Sequence, residues 1–392
     1  MKICIINQLF YPDSGGGAES VVELIIHELK KLNHEIIVIS CSKQYKTTTE
    51  EDLNGIKIYR IGFEKYFPFQ EINNQMWFTR FLWRINQLHN EYSLNTVYSI
   101  LEKEKPDLVL THNILGLGYN ILKAIELLKL NHIHTIHDVQ LIEPSGILLP
   151  NSKIDSFKNK IYRIFTKNLF KNIKKIVSPS EILLNIHLKR KFFPLANTKI
   201  INNPIVMGKP IEITKSNELR CLYLGILEEH KGINLLIKAF KKLDLKKFSL
   251  KIAGRGSLSE KTKNISQTMS NVSFEGEFDK NTQEKLFKNT DLLIVPSICF
   301  ENSPMVIYEA MKNGIPTLAS RIGGIPEIII NEENGYLFQS GNLNDLCNKL
   351  EYIYINKNSL ENMKQVCIDK AKEFQISNYI NKLLEFNKNS NS

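Results

Sequence analysis

A chain of 392 residues, 43% hydrophobic and 23% charged, is long enough for two domains at roughly 100–200 residues each and has an ordinary globular composition, which argues against a disordered tail or a membrane bundle. The formal net charge of +10 favours an anionic partner, although a chain rich in Lys, Asn and Ile carries such an excess without selection for binding. Six scattered cysteines with no C-x-x-C pair argue against a zinc ribbon or a disulfide framework and read as reduced packing residues.

Short β-branched runs predict strands at 2–6, 35–40, 107–111, 132–136 and 174–178, then at 220–224, 248–253, 291–295 and 315–320. Between many of them the apolar residues recur at helical spacing, as in Val21, Leu24, Ile25, Leu29 and Leu32. Strands alternating with helices predict parallel sheets covered on both faces. The pattern starts twice, at Lys2 and at Arg220, and residues 202–216, with Asn203-Pro204 and Lys209-Pro210, read as the linker. Two doubly wound domains facing a cleft would bind ligands beyond the carboxyl ends of their strands. The first apolar stretch, 3–6, is too short for a signal-peptide core, and no later run approaches the ~20 residues of a membrane span. The expectation is a cytoplasmic protein, at most peripheral on the inner face of the cytoplasmic membrane.

The candidate site motifs follow strands. Gly15-Gly16-Gly17-Ala18-Glu19 opens the first helix, where free amides attract an anion; a tight turn with no ligand is the alternative. It is not G-x-G-x-x-G, and the chain contains no G-x-x-x-x-G-K-[ST], so dinucleotide-binding and nucleoside-triphosphatase readings lose their main support. His132, His134, His137 and Asp138 cluster at one strand and its end. A metal is disfavoured there for want of a fourth ligand, and His137 is the better functional candidate. Gly225 to Gly232 follows the first strand of the second half, with Lys231 just ahead of a helix: a phosphate ligand or a solvated lysine. In Glu301-Asn302-Ser303-Pro304-Met305, Ser303 is the expected N-cap and Pro304 the first helical residue, with Glu309 about one and a half turns further on. Two carboxylates so placed accept hydrogen bonds from sugar hydroxyls; the plain alternative is a pair of surface acids. Gly323-Gly324 again precedes a helix and permits close approach to an anion.

In this order the segments resemble glycosyltransferase family 4, the retaining enzymes of the GT-B fold. The most specific match is Glu301 and Glu309 followed by Ala310-Met311-Lys312-Asn313-Gly314-Ile315-Pro316 and Gly323-Gly324-Ile325-Pro326-Glu327. Gly16-Gly17-Ala18-Glu19, His137-Asp138, Ser178-Pro179-Ser180, Asn203-Pro204 and Gly254-Arg255-Gly256 support it. The resemblance implies two Rossmann-like domains: 1–205 on the acceptor side, 206–375 binding a nucleotide sugar, and a C-terminal helix at about 376–392 packing back on the first. It implies that Glu309 holds the ribose hydroxyls and Glu301 the donor sugar. Asn302, Ser303, Pro304, Met305, Gly323 and Gly324 would meet the diphosphate and sugar, with Lys231 on the phosphates. Gly16, Gly17, Gly225, Gly254 and Arg255 complete the implied donor site, and His137 stands beside the sugar as a catalytic candidate with Glu301 and Lys231. Members commonly carry Arg after the glycine matching Gly225; here that residue is Ile226.

The implied activity is sugar transfer from a UDP- or GDP-linked donor to a glycan or lipid-linked acceptor, in bacterial polysaccharide biosynthesis of the lipopolysaccharide or capsule type. No D-x-D occurs in the sequence, which predicts catalysis with neither metal nor cofactor and places the electrostatic burden on Lys231 and backbone amides. Residues 153–175 hold eight basic side chains against the single acid Asp155, with Phe157, Ile161, Phe165, Leu169 and Ile173 at every fourth place. That is either a basic amphipathic helix for an anionic membrane surface or a core-facing helix with a solvated polar side. The run 77–84, aromatic and basic, adds to the membrane case. A sugar-nucleotide epimerase or phosphorolytic enzyme on the same fold remains an alternative. So does a non-catalytic binder of an anionic polymer, although basic and aromatic residues do not interleave as in a nucleic-acid module, and nucleic acid is not an expected partner.

Overall fold

The computed structural model describes residues 1–13, 16–214 and 216–388. The chain divides into two compact units, one of residues 1–147, 153–204 and 376–392, the other of residues 148–152 and 205–375.

The first unit is built on one sheet of β1 (Lys2–Ile6), β2 (Glu35–Tyr45), β3 (Thr48–Asp52), β4 (Lys57–Phe63), β5 (Leu108–Thr111), β6 (His132–Thr135), β7 (Lys175–Ser178) and β8 (Asn197–Ile200). Their order is β3-β4-β2-β1-β5-β6-β7-β8, parallel throughout except for the antiparallel pair β3–β4. The strand order reverses between β1 and β5, so the crevice beyond their carboxyl ends is the place for a ligand in this unit. The helix Ile376–Lys388 belongs here too; Lys175 Nζ donates to the Asn387 carbonyl at 2.6 Å and to its side-chain oxygen at 3.1 Å.

The second unit carries β9 (Leu219–Leu224), β10 (Phe248–Ala253), β11 (Val272–Gly276), β12 (Leu292–Val295), β13 (Thr317–Ser320) and β14 (Gly335–Phe338), all parallel, in the order β11-β10-β9-β12-β13-β14. Successive side chains of β9 serve opposite faces: Cys221 and Tyr223 enter one apolar core, Leu222 and Leu224 the other. Burial on both faces is why these strands read as continuous apolar runs. The order reverses between β9 and β12, and the candidate motifs of this half lie in the loops after strands on either side of that point.

Three local expectations are corrected. The helix expected to start at Ser303-Pro304 spans Met305–Met311 with Pro304 as its N-cap, which has no side-chain oxygen to offer. The Ser303 hydroxyl lies 2.6 Å from that of Tyr308, and Glu309 stands little more than one turn into the helix. The strand-to-helix turn of the first unit already carries a carboxylate. Glu19 accepts the Gly16 amide, and burial pushes its carboxyl up, so the anion position at that helix start is filled from within the chain.

The third concerns the basic segment, whose helix is Phe157–Phe170. The core-facing reading fails at Phe157, Ile161 and Phe165, which are exposed. Asn159, Arg163, Thr166 and Phe170 are the residues that turn inward. Of the run 77–84, Trp83 is buried, while the side chains of Trp77 and Phe81 lie outside the described ones. Gly15 and residues 389–392 are likewise outside the described residues.

Candidate functional site: the loops around the β9–β12 crevice

The loop after β9 and the loop after β12 are tied by backbone bonds: the amides of Ile298 and Cys299 both donate to the His230 carbonyl, at 2.9 and 3.2 Å. That tie sets Lys231 against Glu301, with Nζ 2.6 Å from Oε1. Ser297 Oγ donates to the same Oε1 at 2.7 Å. Glu301 is only 12% exposed and Lys231 26%. Burial works against the Lys231 ammonium, yet the carboxylate beside it outweighs that and holds the group above its ordinary value.

The loop after β13 closes on the same residue. The Gly324 amide donates to the Glu301 carbonyl at 2.7 Å. Gly323 has φ +57°, and a Cβ there would run into that carbonyl oxygen, so only glycine fits. The loop after β10 approaches the loop after β9 in the same manner: Gly254, at φ +147°, lies so close to Gly225 that a Cβ would strike the Gly225 carbonyl. The structure thus gathers Lys231, Ser297, Glu301, Gly323 and Gly324 into one cluster and sets Gly225 beside Gly254. Arg255 stays apart, exposed, with Glu277 at 3.8 Å as its ion-pair partner. Ile226, where family members commonly have Arg, is 46% exposed. Glu309 pairs with Lys312 one turn along its own helix at 2.5 Å, and Met305 is partly buried against the apolar core.

In the first unit, Gly16 caps the helix Gly17–Lys31. His137, just beyond β6, places Nε2 2.9 Å from Nδ1 of His112, just beyond β5. Burial lowers His137 to about 4 and holds His112 well below its ordinary value, so both rings are neutral near pH 7. Burial also raises Asp138 to about 6, against the Gln140 amide bonded to it. His132 and His134 both lie on the Thr111 hydroxyl, at 2.7 and 2.8 Å. Among the described residues no group of three or more His, Cys, Asp and Glu is arranged to hold a metal ion.

Two members of these clusters, Ser297 and His112, are absent from the sequence reading, and a third, Lys312, stands there only as part of a motif with no role of its own. Each carries a weak signal. Ser297 and His112 stand within two residues of the end of an apolar strand, and Lys312 is three residues beyond a helical glutamate.

Residues 15–207 match the model of Glycosyltransferase Family 4, and residues 209–374 that of Glycosyl transferases group 1. The chain belongs to glycosyltransferase family 4 and has the GT-B fold. It is 25% identical over 333 residues to an uncharacterized 42.6 kDa protein of the cps region of Klebsiella pneumoniae, covering 84% of this chain and 87% of that one. Among solved structures it resembles a sucrose-phosphate synthase of Thermosynechococcus elongatus, at TM-score 0.78 and 16% identity over 99% of this chain and 98% of the other. HepE of Anabaena, solved in complex with UDP, matches at TM-score 0.71 and 16% identity over 98% and 99%. The protein is a glycosyltransferase.

Proposed function

We propose that the protein transfers a hexose from a nucleoside-diphosphate sugar to a glycan or lipid-linked acceptor, with retention at the anomeric carbon and without a metal ion. The unit formed mainly by residues 205–375 binds the donor, and the unit formed mainly by residues 1–204 serves the acceptor. The observation that carries this reading is the Lys231–Glu301–Ser297 cluster at the β9–β12 crevice, closed from below by the Gly323-Gly324 turn. The UDP bound to the structurally similar HepE and the cps-region relative favour a UDP-linked donor and a polysaccharide product; GDP is the other nucleotide in question.

In the reaction the bond from the anomeric carbon to the diphosphate oxygen breaks, the acceptor hydroxyl oxygen takes its place, and the hydroxyl proton passes to the departing diphosphate. The nucleoside diphosphate leaves with the bonding electron pair. Negative charge therefore grows on the departing oxygen, and a positioned ammonium stabilises it without reorganisation. Lys231 fills that role, held charged and in place by Glu301. The Glu301 carboxylate accepts from the hydroxyls of the donor sugar, and Glu309 from those of the ribose. The amides of Asn302, Ser303, Met305 and Gly323 line the diphosphate, with Pro304 shaping that turn, Gly324 tied to the Glu301 carbonyl, Gly225 and Gly254 leaving room for the nucleotide and Arg255 as a peripheral cation. In the unit formed mainly by residues 1–204, His137 is a neutral imidazole on the acceptor side. The protein works as a peripheral protein on the inner face of the cytoplasmic membrane, where a lipid-linked acceptor is presented.

A thermal-shift series with UDP, GDP and their sugars tests the donor assignment. A ligand at 100 times its Kd adds about 2.7 kcal/mol of stability. No response to any nucleoside diphosphate removes it, and the anomeric configuration of the product, read by NMR coupling, tests retention.

A further inference from the structure

The helix Phe157–Phe170 is turned outside in. Three of its polar residues are buried and hydrogen-bonded: the Asn159 amide donates to Glu143 Oε2 at 2.5 Å, Arg163 Nη1 to Asp155 Oδ1 at 2.6 Å, and Thr166 Oγ1 to the Leu141 carbonyl at 2.9 Å. Phe170 is buried, but four large apolar residues point to solvent, with Phe157 79%, Ile164 66%, Phe165 46% and Ile161 42% exposed. At about 100° per residue these four fall in one stripe roughly 100° wide. Lys160 and Lys171 run along one edge of the stripe and Lys158 along the other, all exposed. Large exposed apolar residues scattered singly are ordinary; four on one stripe of one helix mark an interaction surface.

We propose that this stripe is where the protein lies on an anionic lipid bilayer, with Phe157, Ile161, Ile164 and Phe165 at the boundary between headgroups and acyl chains and the flanking lysines on anionic headgroups. The inference deepens the peripheral-membrane reading above and rests on it; donor binding does not depend on it. A helix with an apolar stripe edged by lysines is the chemistry of an interfacial helix, its long stems reaching up to the headgroups. A second copy of this chain fits less well, because a two-fold contact through the stripe sets the lysines of one copy against those of the other. An anionic polymer would neutralise the lysines and leave the apolar stripe in water. The helix lies on the bilayer and does not cross it, since no helix among the described residues is long and apolar enough to span a membrane.

Vesicle flotation tests the assignment, using phosphatidylcholine alone and phosphatidylcholine with phosphatidylglycerol. The unmodified protein should float with the anionic vesicles only. The double variant Phe157→Ser with Ile164→Ser, and separately Lys158→Glu with Lys160→Glu and Lys171→Glu, should each bind at least tenfold more weakly at an unchanged thermal midpoint. All five positions are exposed, so the fold is expected to tolerate them. Failure of the unmodified protein to float overturns both this surface and the peripheral reading, leaving the donor assignment standing. Flotation undiminished in both variants overturns the helix alone. A dimer in light scattering that Phe157→Ser with Ile164→Ser converts to monomer, without vesicle binding, assigns the stripe to a second copy and overturns the proposal.

Discussion

Glu309 and Lys231 are the residues whose loss reads most directly on the proposed chemistry. Glu309→Ala should weaken UDP binding by about 1.5–3 kcal/mol if hydrogen bonds from two ribose hydroxyls to a charged carboxylate disappear. Calorimetric titration checks it, and an unchanged Kd in the folded variant removes Glu309 from the site. Lys231→Met should lower kcat by about 10²–10³ with a smaller effect on donor affinity, because the ammonium acts on charge that develops only as the diphosphate leaves. Equal losses in kcat and affinity would make it a binding residue instead. Both side chains were legible as members of motifs, but their partners were not. Lys231 and Glu301 lie 70 residues apart, and nothing local says that the loops after β9 and β12 are neighbours; the pairing of those two strands decides it.

Among the elements, the apolar parallel strands were legible because burial on both faces leaves a local mark, whereas β3, β4, β8, β11 and β14 went unread. The sequence of β3 is TTEED, mostly exposed at the sheet edge, and that of β8 is NTKI. The edge strands β3, β8 and β11 carry no apolar run to find, whereas β4 (KIYRIGF) and β14 (GYLF) are largely buried and are short or broken by polar residues. The helix Ile376–Lys388 buries Ile376, Tyr379, Ile380, Leu383 and Phe386 in the first unit. Leu383→Ala should therefore cost about 2–5 kcal/mol, measured by urea unfolding. A loss below 1 kcal/mol would mean that the helix is only loosely docked.

For the molecule as a whole, acid should destabilise the fold before its carboxylates titrate. Burial lowers His132 to about 3 and His137 and His187 to about 4, and holds His112 and His134 well below the ordinary value. An unfolded histidine titrates near 6.5. Below that pH the unfolded chain takes up protons that the folded chain refuses, so stability falls as pH drops from about 6.5 towards 4. Each neutral histidine contributes up to about 1.4 kcal/mol per pH unit. Asp138 works the other way: raised by burial to about 6, it gains its proton earlier when folded and offsets part of the loss. Denaturant midpoints should drop between pH 7 and pH 5, and a flat profile would show that these rings are not held neutral. Release of nucleoside diphosphate from the donor should survive exhaustive chelation, given a sequence without D-x-D and an ammonium in the site. Activity lost to chelation and restored by magnesium or manganese would refute the metal-free mechanism.

Apolar runs alternating with helical stripes were enough to imply two doubly wound domains, and the resemblance of the motifs around Glu301, Glu309 and Gly323-Gly324 to those of the family pointed to it, because strand formation, turn geometry and motif residues are local features of the chain. Which cation neutralises Glu301, which ring meets His137 and which face of Phe157–Phe170 meets water are long-range outcomes. Helical periodicity marks a stripe without saying what covers it. Here the inward face goes to Asn159, Arg163 and Thr166 alongside Phe170 because Glu143, Asp155 and the Leu141 carbonyl satisfy the three polar groups, and a buried polar group with a partner is tolerated where one without a partner is not. That contest is settled by residues distant on the chain and adjacent only after folding, and it leaves Phe157, Ile161, Ile164 and Phe165 facing out.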